Sequence, residues 1–147
     1  MRSFSIVCVD VNIVVDGLQL VDREGSLLSE LWHSFYANRT RFLQPKLFDA
    51  ELTSVFRKLV FDKEMTAREA KQTLEIAFRL PLSYLDDRSL HFEALEIASA
   101  LGVRAAYDAH YIAAARQSSV PLVTSDRRLA NAAGQFVEVL HIPREAV

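Results

Sequence analysis

Cysteine, glycine and proline are all scarce in this sequence, and each shortage excludes a class of protein. A single cysteine, Cys8, cannot form a disulfide within the chain, which excludes a disulfide-stapled secreted scaffold. The four glycines are not clustered, so no glycine-rich loop is present to cradle a phosphate group. The four prolines are scattered and mark no linker, and we interpret residues 1–147 as one domain.

The sequence also lacks a large excess of charge of one sign and any long hydrophobic run. The formal net charge is −2, so binding of a nucleic acid would need a local basic patch or a bridging cation. No apolar run approaches the roughly 20 residues that span a bilayer. Asp10 and Asp16 interrupt the N-terminal apolar run, which is therefore unlike a signal peptide. We expect a cytoplasmic protein with no membrane span.

Short apolar segments alternate along the chain with helical patterns. This alternation predicts an α/β fold with a parallel sheet, in which ligands bind beyond the carboxyl ends of the strands. The predicted strands are residues 5–9, 41–44, 82–85, 121–124 and 136–140. The predicted helices are residues 26–36, 47–62, 66–79, 88–101, 105–117 and 127–133.

Four acidic residues lie where we expect burial rather than solvent. Asp10 ends the first apolar strand, and Asp126 follows the fourth. Glu51 lies at the edge of the apolar stripe of the helix over 47–62, and Asp108 lies near the start of an alanine-rich helix. Each has a simpler interpretation, because Asp108 and Asp126 suit helix starts, Glu51 can reach water and Asp10 can hold the following loop.

Taken together, the four residues predict a metal site. If the first and fourth strands are neighbours, Asp10 and Asp126 meet, and two carboxylates about 5 Å apart repel by roughly 3 kcal/mol at an effective dielectric of 20. An all-oxygen acidic site suits Mg²⁺ or Mn²⁺, and such ions activate water and bind phosphodiester oxygens. Asn12 and Thr124 are polar neighbours that either orient the ligands or serve structural roles.

The order and context of these residues resemble those of the PIN domain. The similarity lies in "VDVN" with Asp10, "PKLFDAELTSVFRKL" with Glu51, "AYDAHYIAAA" with Asp108 and "LVTSDRRLANAA" with Asp126. It runs from about residue 5 to residue 140, whereas the segment after Asn12 departs from the family's usual pattern. In size, the chain is most similar to VapC-type toxins of toxin–antitoxin pairs.

The resemblance implies a fold, an activity and partners. The fold would be a three-layer sandwich around a five-stranded parallel sheet in the order 3-2-1-4-5. The activity would be that of an Mg²⁺- or Mn²⁺-dependent endoribonuclease whose four carboxylates hold the metal. The partners would be RNA, a VapB-like antitoxin and a second copy in a homodimer. Arg127 and Arg128 follow Asp126 and are candidates for binding RNA phosphates, although simple solvation also explains them.

Three other functions compete with a toxin nuclease. A housekeeping PIN nuclease of RNA maturation or decay would share the whole site and differ in its gene neighbourhood. A non-catalytic PIN-fold binding module would keep the fold without cutting RNA. A phosphotransfer domain with Asp10 as nucleophile usually needs a second strand-end aspartate, and Asn12 stands two positions further on.

Overall fold

The computed structural model describes residues 2–19 and 25–144, which form five strands and seven helices. The strands are β1 (Ile6–Val9), β2 (Arg41–Pro45), β3 (Leu82–Leu85), β4 (Leu122–Thr124) and β5 (Val139–His141). The helices are α1 (Val11–Leu18), α2 (Leu27–Ala37), α3 (Leu47–Phe61), α4 (Ala67–Ala77), α5 (Ser89–Leu101), α6 (Tyr107–Ser118) and α7 (Arg127–Ala133).

The five strands form one parallel sheet in the order β3-β2-β1-β4-β5, as predicted. Helix α6 packs on β1 and β2 with α5 outside it, while α1 contacts β4 and the helices α2, α3 and α4. The strands at the centre of the sheet are covered, and Val7, Cys8 and Val9 of β1 are fully buried. The order places the carboxyl ends of β1 and β4 side by side.

Local sequence explains where several helices begin and end. The Ser26 side chain accepts a hydrogen bond from the Ser29 amide at the start of α2. Thr66 and Glu69 form a capping box at the start of α4, in which each side chain accepts from the other residue's amide. Helix α5 ends at Gly102, whose φ of 67° is the left-handed conformation that glycine adopts without strain.

Helix α1 is the element that the sequence patterns did not predict. Its sequence, VNIVVDGL, is rich in β-branched residues, which lower intrinsic helix propensity and favour strands. The helix buries Val11, Ile13, Val14 and Val15 in the core, so tertiary packing overrides the local preference.

Two elements begin two or more residues later than predicted. The fifth strand is Val139–His141 rather than 136–140, because Phe136 and Val137 form a turn whose amides donate to Ala133 O. The alanine-rich helix begins at Tyr107 rather than at residue 105, so Asp108 lies in its first turn.

Strand β1 pairs with β2 at its start and with β4 at its end, and the Gln44 side chain binds the backbone of Val9 where pairing with β2 has stopped. Residues Ile6 and Val7 pair with β2, whereas Cys8 and Val9 pair with β4. The fully buried Gln44 side chain accepts from the Val9 amide at 2.8 Å and donates to Val9 O at 2.5 Å. The backbone groups of the residue before Asp10 are therefore satisfied by a side chain of β2.

No helix in the described part of the chain combines the length and the apolar character that crossing a membrane requires.

We expect Gln44→Leu to destabilise the protein by about 2–4 kcal/mol, because it would leave the buried N–H and C=O of Val9 without partners. Urea unfolding monitored by circular dichroism measures this change. Gln72→Leu on the exposed face of α4 is the matched control and should change stability by less than about 0.5 kcal/mol. Equal stabilities of the Gln44→Leu variant and the wild type would contradict this role of Gln44.

Candidate functional site

The four predicted acidic residues converge at the carboxyl edge of the sheet. Asp10 follows β1 directly, and Asp126 follows β4 as the N-cap of α7. Asp108 lies in the first turn of α6 and Glu51 in the second turn of α3. Burial is the main cause that raises the pKa of Asp10, Glu51 and Asp108, and charges of other members of the set raise it in addition, so the four carboxylates form one electrostatic group.

Asp10 is the most buried of the four, with 9% of its surface exposed. It is the N-cap residue of α1, but its side chain makes no capping hydrogen bond. Instead, Asp10 Oδ2 accepts a hydrogen bond of 2.9 Å from the fully buried Thr124 hydroxyl. Its amide donates to Val123 O at 2.9 Å, which fixes the residue against β4.

Thr124 links Asp10 to Asp126. Its hydroxyl oxygen also accepts from the Asp126 amide at 3.0 Å. Asp126 Oδ1 in turn accepts from the amides of Arg128 at 2.8 Å and Leu129 at 3.3 Å, which caps α7. One oxygen of Asp126 thus serves the helix start, as its simpler interpretation held, and the other oxygen makes no hydrogen bond to the described residues.

Glu51 has a buried carboxylate oxygen that is not hydrogen-bonded within the described part of the chain. Its Oε1 atom is buried and has no hydrogen-bond partner among the described residues. The pKa of Glu51 is raised to about 7, chiefly by loss of hydration and in addition by the charges of Asp10 and Asp108. Lys58 and the Tyr111 hydroxyl act in the opposite direction, but less strongly. The charged form of Glu51 therefore lacks sufficient compensation within the chain.

Asp10 and Asp108 are also shifted toward their neutral forms. Burial is the main cause that raises the pKa of Asp10, and the Thr124 hydrogen bond partly opposes it. For Asp108, partial burial of the carboxylate raises the pKa first, the charge of Asp126 adds to it, and Arg128 lowers it. The site is therefore short of positive charge.

The expectation that all four residues are buried was wrong for two of them. As whole residues, Asp108 and Asp126 are exposed, although neighbouring atoms crowd the Asp108 carboxylate. The reason is position, because both lie at helix starts on the open edge of the sheet rather than under its covering helices.

The remaining predicted residues lie around this edge. Asn12 is half-buried on α1, two residues after Asp10. Arg127 and Arg128 are exposed at the start of α7, and Arg128 is close enough to lower the pKa of Asp108. Arg128 thus brings one positive charge near the acidic residues.

Tyr111 belongs to the site and was not predicted from the sequence. It is fully buried on α6, and the charges of Glu51, Asp10 and Asp108 all raise the pKa of its hydroxyl, after burial as the main cause. The available signal was its position three residues after Asp108, which places the two side chains on neighbouring parts of one helix.

The donor set fits a hard divalent cation such as Mg²⁺ or Mn²⁺. All four candidates are carboxylates, one of their oxygens is buried without a partner, and their pKa values indicate a missing counter-charge. Within residues 2–19 and 25–144, no three His, Cys, Asp or Glu side chains already stand close enough together to enclose an ion. The carboxylates are therefore electrostatic neighbours that would have to draw closer around a cation.

Comparison with known proteins agrees with the topology. The family model described as "PIN domain" matches residues 7–135. A curated relative, Ribonuclease VapC1 of Mycobacterium tuberculosis, is 31% identical over 134 residues, which cover 89% of this chain and 93% of the relative.

Two solved structures share the fold. VapBC2 of Rickettsia felis, bound to a DNA fragment from its promoter, matches with a TM-score of 0.66 at 16% identity, covering 92% of this chain and 98% of the other. FitAcB of Neisseria gonorrhoeae matches with a TM-score of 0.61 at 19% identity, covering 92% and 96% of the two chains.

We expect Glu51→Gln to stabilise the metal-free protein above pH 7 and to have little effect below pH 4.5. The unfolded chain releases this proton near pH 4.5, whereas the folded chain holds it to about pH 7. The stability that proton binding provides is therefore lost as the pH rises through this window.

Urea unfolding in EDTA at several pH values measures the difference between the two proteins. Glu75→Gln, which removes an exposed negative charge from α4, is the control for the change in net charge. A stability difference between wild type and Glu51→Gln that does not change with pH would contradict the raised pKa of Glu51.

Proposed function

Because this chain belongs to the PIN-domain family, we propose that it is a metal-dependent endoribonuclease and the toxin of a VapBC-type toxin–antitoxin module. The observation that carries the proposal is the group of four carboxylates at the edge of β1 and β4, three of them with a raised pKa. The relative named Ribonuclease VapC1 supports ribonuclease activity on RNA. The VapBC2 structure supports an assembly with an antitoxin.

The proposed metal ligands are Asp10, Glu51, Asp108 and Asp126. A bound Mg²⁺ or Mn²⁺ would supply positive charge that favours ionisation of the attacking water and offsets the charge developing on the phosphodiester. The raised pKa values imply that bound metal and protons compete for the same carboxylates, so metal binding should strengthen as the pH rises.

The chain's own residues orient these ligands. Thr124 donates to Oδ2 of Asp10, and Oδ1 of Asp10 would be the atom that binds the metal. The amides of Arg128 and Leu129 hold Asp126 in the same way through Oδ1. Two strand-end aspartates are thus each fixed through one oxygen, which reduces the freedom that a ligand loses when it binds an ion.

RNA would approach from the open side of the site. Arg127 and Arg128 are exposed there and suit contacts with phosphate oxygens, which position a nucleic acid without reading its sequence. Because the chain's net charge is −2, this local patch and the metal would supply the attraction for RNA.

The assembly that we propose contains a VapB-like antitoxin, which blocks the site, and a homodimer of this chain in the cytoplasm. Light scattering on the purified chain measures the dimer, which should show twice the monomer mass of 16.6 kDa.

We expect the purified chain to cleave RNA with Mn²⁺ or Mg²⁺ and not with EDTA, and Asp10→Asn to reduce cleavage by at least about 100-fold. The variant removes a charged ligand while keeping the shape of the side chain. Gel analysis of total RNA and sequencing of the fragment ends measure both the rate and the target site.

Asp16→Asn is the matched control. It lies on α1, six residues further on, and pairs with Arg144 rather than with the site. Its cleavage rate should stay close to that of the wild type. Folded protein that binds Mn²⁺ but leaves all RNA intact would favour a highly selective nuclease, and folded protein that binds no metal would contradict the proposed site.

We expect expression of the wild-type chain to arrest growth of a bacterial host, and Asp10→Asn to remove the arrest. Co-expression of the small reading frame next to its gene should restore growth and yield a complex that co-purifies. Normal growth of cells that contain soluble, RNA-cleaving chain would contradict the toxin role and favour a housekeeping nuclease.

A further inference from the structure

Tyr111 places an unpaired hydroxyl in the interior of the protein. Its side chain is fully buried, and the hydroxyl has no hydrogen-bond partner among the described residues. A buried hydroxyl without a partner is unfavourable, because it loses its hydrogen bonds to water and gains none in return. Such groups are rare in folded proteins and each needs an explanation.

Core packing alone does not explain the hydroxyl. The same core uses phenylalanine elsewhere, and both Phe42 and Phe48 are buried to within 2% of complete coverage. A phenylalanine at position 111 would fill the same volume without burying a polar atom. The chain therefore carries an oxygen here that packing does not require.

The hydroxyl of Tyr111 lies beside Glu51, which also has a buried atom without a hydrogen-bond partner among the described residues. Glu51 Oε1 is buried and unpaired, and the Tyr111 hydroxyl is near enough to favour the charged form of that carboxyl. The two groups are chemically complementary, since a phenol hydroxyl donates and a carboxylate accepts. The two groups form no hydrogen bond with each other in this structure. A hydrogen bond between them would satisfy both buried atoms at once.

We propose that Tyr111 is a positioning residue of the acidic site, whose hydroxyl donates a hydrogen bond to the charged Glu51 carboxylate and holds it toward the metal. The inference rests on the proposed function and adds to it a residue of α6 that lies beside Glu51. Asp10 has an equivalent partner in Thr124, which donates to its Oδ2 atom. Two of the four carboxylates would then each be oriented by one buried hydroxyl.

The test is a double-mutant cycle with Mn²⁺ alone as the probe. The full chain is stripped with EDTA, and calorimetry measures Mn²⁺ affinity for wild type, Tyr111→Phe, Glu51→Gln and the double variant. We expect Tyr111→Phe to weaken Mn²⁺ binding by about 10- to 100-fold. In the chain that already carries Glu51→Gln, the same substitution should cause no further loss, because its target carboxylate is gone.

Tyr84→Phe is the matched control. Its hydroxyl donates to Asp49 Oδ1 at 2.7 Å, so the variant removes a phenol–carboxylate hydrogen bond on the same helix, α3, but outside the site. Mn²⁺ affinity of Tyr84→Phe should equal that of the wild type within about twofold. Circular dichroism confirms that each variant is folded before its affinity is compared.

A second measurement separates this inference from the proposed function. The urea midpoint is measured without metal at pH 8. We expect Tyr111→Phe to lower the midpoint of the chain that carries Glu51. In the chain that carries Glu51→Gln, the same substitution should lower the midpoint less or raise it. If wild type binds Mn²⁺ and Tyr111→Phe binds it with the same affinity, the positioning role is overturned and the proposed nuclease function is unaffected. If wild type binds no Mn²⁺, the proposed function fails, and equal midpoint shifts in both backgrounds overturn the Tyr111–Glu51 pair as well.

Discussion

Repulsion between carboxylates at one edge of the sheet is the constraint that the surrounding structure accommodates. Parallel pairing of β1 with β4 places Asp10 and Asp126 at the same edge, and α3 and α6 add Glu51 and Asp108. The chain offsets only part of this repulsion, through the Thr124 hydroxyl, the amides that start α7 and the nearby Arg128. Burial of the carboxyl groups first, and then the repulsion left between them, raises the pKa of Asp10, Glu51 and Asp108. A divalent cation that binds these carboxylates only in the folded chain would therefore stabilise the fold.

The same residue type at the same local position serves two purposes in this site. Asp10 and Asp126 both precede helices as N-cap residues with extended backbone. Asp126 caps its helix in the ordinary way, whereas Asp10 leaves the amides of α1 uncapped and turns to Thr124. Asp10 makes no local capping hydrogen bond because its tertiary hydrogen bond to Thr124 holds the side chain in another position. This difference marks Asp10 as the residue whose position depends most on the neighbouring strand.

The sequence predicted most of the fold because its patterns are local and strong. The capping box at Thr66, the glycine at 102 and the apolar runs of the sheet all specify their elements without reference to the rest of the chain. Helix α1 was missed because its β-branched residues point to a strand, and only packing in the core makes them helical. The four acidic positions could be named, since their order resembles that of the family. Tyr111 could not, because a tyrosine on an apolar helix face looks like core until its unpaired hydroxyl is seen.

The bridge from Gln44 to Val9 has a consequence for how motion at the site can be observed. In an ordinary strand, an amide proton exchanges with solvent only when the ladder opens. The Val9 amide is held by a side chain instead, so its exchange needs rotation of the buried Gln44 and entry of water beside it, rather than separation of two strand backbones. Exchange at this single amide, next to Asp10, would report rearrangement around the carboxylates separately from unfolding. Hydrogen exchange at the Val9 amide is thus a probe of local opening beside Asp10.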